Sequence, residues 1–130
     1  MKEQELVAAV RETAGTDTAE HTEQAVRATL AVLAERLAGA EPGDLASQLP
    51  PALAEVIPSQ GKGERFGIQE FYRRVAEREG SGCTERDARR HARATVAAIK
   101  AAITPGEFEH LVAQLPDDYA ELLGTEPVQH

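Results

Sequence analysis

Five cationic side chains, Arg86, Arg89, Arg90, Arg93 and Lys100, recur within a single stretch of the 130-residue chain. On a helix advancing about 100° per residue they fall within about a third of the circumference, away from a stripe of Ala92, Val96 and Ile99. Guanidinium groups repeated along one face can hold carboxylates or phosphates as planar forks. Arg73, Arg74 and Arg78 precede the stripe and add to it. This is chemistry of recognition: such a face can meet an acidic partner, a phosphate or simply water.

Residues for bond making are sparse by comparison. The four histidines are His21, His91, His110 and His130. Asp87 and His91, like Asp17 and His21, stand four apart, a tolerable spacing for two ligands of a metal. A site needs three or more ligands, and no HExxH, CxxC or Glu-x-x-His pair recurs, so no metal site is expected. Cys83, in Ser81-Gly82-Cys83-Thr84, precedes a helix start where a low-pKa thiolate is physically possible. The reading preferred here is a small apolar residue packed just before the cap. Gly61-Lys62-Gly63 lacks the spacing of a P-loop, and none of Ser47, Ser59 and Ser81 sits in a nucleophile-elbow pattern. Asp117 and Asp118 suit a helix start, where negative charge favours the macrodipole. The sequence therefore predicts no catalytic residues, no cofactor and no enzyme.

Composition bounds the fold class. With 42% hydrophobic residues, three Phe, two Tyr, no Trp and an abundance of Ala, Leu, Glu and Arg, the chain uses the vocabulary of helices and predicts no sheet. The single cysteine cannot form an internal disulfide. The charged opening MKEQELVAAVRE reads as neither signal peptide nor anchor, and no run approaches the ~18 apolar residues of a membrane span. A cytoplasmic protein without membrane contact is expected. The formal charge of −8 is uneven: residues 1–61 hold 4 basic and 10 acidic side chains, residues 62–103 hold 10 and 6, and residues 104–130 hold 0 and 6. An acidic body repels phosphate backbones, and neither a helix-turn-helix signature nor stacking aromatics is evident, so nucleic-acid binding is not expected.

The elements that must carry the stripe show a repeat. Residues 18–57 and 84–123 align without a gap at an offset of 66, with 12 identities in 40, among them Thr18, Arg27, Thr29, Glu41, Gln48, Leu49 and Pro50. Val26, Leu30, Leu33 and Leu37 fall opposite Ala92, Val96, Ile99 and Ile103, at spacings that put each set on one helical face. Duplication of a helical unit of about 60 residues is the simplest account. Thr18 and Thr84 are placed to cap the long helices, the latter with Asp87 at the third position, and Thr104-Pro105-Gly106-Glu107 reads as another start. Glu41-Pro42-Gly43-Asp44 sits three residues later in register, so its helix should begin about a turn later.

Both units contain a Gln-Leu-Pro corner, Gln48-Leu49-Pro50 and Gln114-Leu115-Pro116. The leucine reads as the last buried residue of a short helix that the proline ends. The proline then opens a final helix, over 51–57 or 117–123, and the glutamine is free to bond open carbonyls at the turn. Amphipathic helices over 3–13 and 68–79 precede the long ones, the second through Ile68, Phe71, Tyr72 and Val75. The expected architecture is all-α, two tandem helical repeats (1–57 and 67–123) packed as one bilobal bundle, with an exposed linker at 58–66 and a tail at 124–130.

The two stretches AVRATLAVLAERLAGAEPGDLASQLPPALAEVI and ARATVAAIKAAITPGEFEHLVAQLPDDYAELL, with GIQEFYRRVAEREG between them, resemble the bacterial domain-of-unknown-function family 2267 over about residues 3–123. The resemblance implies an all-helical, internally repeated, soluble protein and supplies no reaction, cofactor or catalytic residue. The expected role is a non-enzymatic interaction or regulatory module whose partner is another protein or a second copy. The alternative is a small-ligand binder with an apolar pocket at the seam, lined by Phe71, Tyr72 and Phe108.

Overall fold

The computed structural model describes residues 1–125, so the end of the tail, including His130, lies outside the described residues. The protein is all-α. Helices α1 (Glu3–Ala14) and α2 (Ala19–Arg36) are followed by two short ones, α3 (Glu41–Ala46) and α4 (Pro51–Ala54). Then come α5 (Ile68–Glu79), α6 (Glu85–Ala102), α7 (Pro105–Gln114), a 3-10 turn at Asp117–Tyr119 and α8 (Ala120–Leu123). No described helix is long and apolar enough to cross a membrane.

Local chemistry accounts for the helix starts. Thr18 accepts from the backbone N–H of His21 at 3.0 Å. Thr84 does the same for Asp87, whose carboxylate returns the bond to the Thr84 N–H. Gly15 and Gly124 end α1 and α8 in the left-handed conformation, where glycine is favoured. Helices α2 and α6 begin and end at positions 66 residues apart.

The four long helices share one core. Helix α1 packs on both α2 and α6, and α5 likewise contacts both. Leu6 and Val10 of α1, Leu30 and Leu33 of α2, Phe71 and Val75 of α5, and Ala92 and Ile99 of α6 are buried in one continuous cluster. The core thus runs across the boundary expected between the two units. Thr29 and Thr95, which align in the repeat, are buried in it, and each hydroxyl donates to the carbonyl four residues back.

A small sheet departs from the sequence expectation. Strands β1 (Ala38–Gly39) and β2 (Gly61–Lys62) pair antiparallel, so the stretch expected to be a linker folds back against the end of α2. The Gly63 N–H donates to the Leu37 carbonyl and the Glu64 N–H to that of Glu35, each at 3.0 Å. A side chain at residue 61 would place its Cβ 2.1 Å from the Leu37 oxygen, so this approach requires Gly61. Strand β1 occupies the place of the first turn of α7 in the alignment, and α3 accordingly starts two residues late.

The Gln-Leu-Pro corners also act differently from the expectation. The Thr104 N–H donates to Oε1 of Gln48 at 2.8 Å, and the Ala38 N–H donates to Oε1 of Gln114 at 3.3 Å. Each glutamine therefore accepts from the other unit's backbone instead of donating to carbonyls of its own turn. The two acceptors are 66 residues apart, as are the two donors. Leu49 is buried, Leu115 only half-buried, and the turns after Pro50 and Pro116 start at the next residue. Helix α4 ends at Ala54, short of the expected 57.

Where α3 meets α7, Glu107 does not fold back onto its cap as a capping-box glutamate does. Thr104 accepts from its N–H, while its carboxyl turns inward toward Glu41. Burial and the facing Glu41 carboxyl push the Glu107 carboxyl up to about 7.

Replacing Gln48 with Ala is expected to cost about 1 kcal/mol in urea denaturation, by loss of one inter-unit hydrogen bond. The longer, more exposed bond of Gln114 makes Gln114→Ala the milder change, and the opposite order would contradict the assigned role of the corners.

Candidate functional site

The cationic residues singled out in the sequence line one groove. Arg86, Arg89, Arg90, Arg93 and Lys100 all project from α6 into a depression of about 680 Å³, closed by Thr13 at the end of α1 and by Glu121, Leu122, Leu123 and Gly124 of α8. Ala94 and Ala97 add to its apolar lining. All five cations are exposed. The 100° step of α6 sets them about a quarter-turn round the helix from the buried Ala92, Val96 and Ile99.

Not all five charges are equally available. Arg89 pairs with Glu121, which also lies 4.0 Å from Arg93. The guanidinium of Arg89 holds the Glu121 carboxyl below its usual range. Arg90 donates to the Ala14 carbonyl at 2.9 Å, satisfying an open acceptor at the end of α1. Lys100 lies over the Phe108 ring at 4.9 Å. Arg86 and Lys100 form no ion pair among the described residues.

The arginines of α5 do not join this groove. Arg74 and Arg78 both contact Glu35 of α2 at 2.8 Å, and Arg74 also stacks over Phe66. Arg73 bridges Glu70 and Glu77 on its own helix. The basic segment is thus divided between internal pairing and a surface groove.

A second cluster was invisible to pairwise spacing. Glu79, the last residue of α5, has a side chain only 2% exposed and accepts from His91 Nδ1 with both oxygens at 2.9 Å. His21 reaches in from α2, its Nε2 3.7 Å from Glu79 and its Nδ1 2.8 Å from Asp17. One atom from each of His21, Glu79 and His91 lies within 4.8 Å of the others, a spacing at which they could hold a metal ion. Of the two pairs spaced four apart, Asp17 and His21 meet, whereas His91 turns to Glu79 instead of Asp87. The missed signal is that Glu79 falls four residues after Val75, on the stripe that Ile68, Phe71 and Tyr72 bury.

Cys83 borders this cluster, half-buried in a small cleft of about 110 Å³ with His21, Asp87, Arg90 and His91. Burial, with the Glu79 carboxylate beside it, pushes the thiol up to about 12. The geometry favours the packed residue over the reactive thiolate. The aromatics assigned to a possible ligand pocket are core: Phe71, Tyr72 and Phe108 are all buried.

Fold and groove together define an all-α protein with a charged surface groove built on a shared helical core. The family described as an uncharacterized conserved protein, DUF2267, matches residues 3–122, and the chain belongs to that family. No curated protein matches the sequence.

Two outcomes test the cluster. Removing the buried carboxylate by Glu79→Ala strands His91 and is expected to cost about 3 kcal/mol in urea denaturation, and a loss under about 1 kcal/mol would mean that the pair adds only a surface-like contact. Cys83 should react with a disulfide reagent at pH 7.5 at least tenfold more slowly than free cysteine, because the thiolate is the nucleophile. A rate equal to that of free cysteine would refute its packed, protonated state.

Proposed function

We propose that this chain is a non-enzymatic interaction module that docks an acidic, partly apolar segment of a protein partner into the groove along α6. The observation that carries the reading is the alignment of five cations over an apolar floor in a protein whose formal charge is −8. A groove of one sign on a body of the other steers and orients a complementary partner. The alanines and leucines at its base supply the apolar burial that ion pairs alone do not. Arg86 and Lys100 offer charge with no competing internal carboxylate among the described residues, whereas Arg89 would exchange Glu121 for a partner's acid.

Self-association has its own supporting observation. A second groove, of about 550 Å³ between α1 and α2, is lined by Glu3, Glu12, Glu20 and Glu23, with Arg11 as its one cation, around Val7 and Ala8. Its charge complements the α6 groove, and a head-to-tail contact between the two would build an open or ring assembly. A native mass spectrum separates the readings: a multiple of 14.0 kDa supports copies of the chain, and a monomer supports a separate partner.

Fluorescence anisotropy with labelled acidic amphipathic peptides tests the groove. Binding is expected at low salt, weakening steeply toward 0.5 M salt as the charges are screened. The double variant Arg86→Glu, Arg93→Glu should lose at least tenfold in affinity with little change in melting temperature, because both side chains are exposed. Peptide binding unchanged in that variant would rule out the groove.

A further inference from the structure

The contact between α3 and α7 assembles a third group of titratable side chains. One ligand atom from each of Glu41, Glu107 and His110 lies within 4.8 Å of the others. The Glu107 side chain is only 7% exposed. Its Oε1 and the Oε1 of Glu41 are both buried without a hydrogen-bond partner. Neither carboxylate forms an ion pair with a lysine or arginine among the described residues, and the nearest cationic candidate is His110, with Nδ1 3.8 Å from Glu107. Asp44 adds a further negative charge nearby.

No lysine, arginine or donor side chain compensates this arrangement, which is left with only a proton shared between the two carboxyls. Buried carboxylate oxygens without donors are costly, and two facing each other repel. Helix capping does not call for it, since Thr104 already accepts the Glu107 N–H. A positive centre between the two oxygens removes both the desolvation cost and the repulsion.

We propose that Glu41, Glu107 and His110 form a binding site for one divalent first-row metal ion, with zinc as the best match, bridging α3 and α7. Glu107 and His110 are three apart and so share a face of α7, while Glu41 comes from the facing helix. Two carboxylates and an imidazole suit zinc or manganese better than calcium or magnesium, which favour all-oxygen shells. Donor atoms around a tetrahedral zinc at about 2.1 Å stand roughly 3.4 Å apart, so modest side-chain rotation closes the observed spacing. The imidazole of His110 is 71% exposed, which leaves a path for the ion and room for water as the remaining ligand.

The test is calorimetric titration of zinc chloride, and separately manganese chloride, into tag-free, chelator-treated full chain at pH 7.5. One zinc per chain is expected, with a rise in melting temperature. Glu107→Gln and Glu41→Gln, which keep shape and remove charge, should each weaken binding at least tenfold while the proteins remain folded without metal. His21→Ala should bind as the parent does, since it alters only the other histidine cluster. Absence of binding at millimolar zinc and manganese would overturn the proposal. So would binding that survives Glu107→Gln and disappears in His21→Ala.

Discussion

One hydrophobic core shared by both halves of the chain is the constraint from which the other features follow. A unit of about 60 residues buries only about 60% of the surface it exposes when unfolded. Here α1 completes the cover of α6 as well as of α2, and α5 lies against both. The inner faces of α2 and α6 are lined with small residues, Ala25 and Ala28 on one and Ala88 and Ala92 on the other. Threonines at matching places, Thr29 and Thr95, satisfy their hydroxyls within their own helices and so enter the core without needing a partner. Once the long helices are shared, the short ones must reach across too. Gln48 and Gln114 then find their acceptor roles on the other unit's backbone.

The charge distribution is arranged by the same packing. Placing α5 beside α2 brings Arg74 and Arg78 to Glu35, and the partly buried Arg74 also gains the Phe66 ring. Exposed pairs of this sort contribute little stability each. Their larger effect is on where unpaired charge remains. Arg74 and Arg78 are held against Glu35 of the acidic first half, Arg73 pairs along its own helix, and five further cations project from α6. Arg27 with Glu55, at 3.9 Å, and Arg93 with Glu121, at 4.0 Å, repeat the same weak contact at the same 66-residue offset. The groove is therefore not an isolated decoration of α6 but one edge of a pattern present on both long helices, enriched in arginine on only one of them.

How much of this was legible in the sequence depends on whether the determining contact was local. The starts of α2, α6 and α7 were, because a threonine cap bonds a backbone N–H three residues away. The stripe was legible as well, since a 100° step fixes which residues share a face. The β1–β2 ladder was not: two residues on each side carry no periodicity, and the signal lay in Gly61, whose lack of a Cβ admits the Leu37 carbonyl. The glutamines were placed at the corners, but their partners lie 56 and 76 residues away, beyond any local rule. Glu79 and Glu107 were read through local roles, as a helix end and a capping glutamate, although both point inward.

Those two glutamates show what the shared core imposes on buried acid. Glu79 is enclosed where α5 ends against α6 and has a dedicated imidazole, His91, that engages both of its oxygens. A buried carboxylate held this way is compensated on the spot. Glu107 is enclosed to a similar degree, but the residue facing it is Glu41, its own counterpart at the 66-residue offset. At this pair of aligned positions an acidic residue confronts an acidic residue. A carboxylate on both sides keeps the conflict in place, and its natural resolution is a positive centre shared by the two, which would tie α3 to α7 across the units.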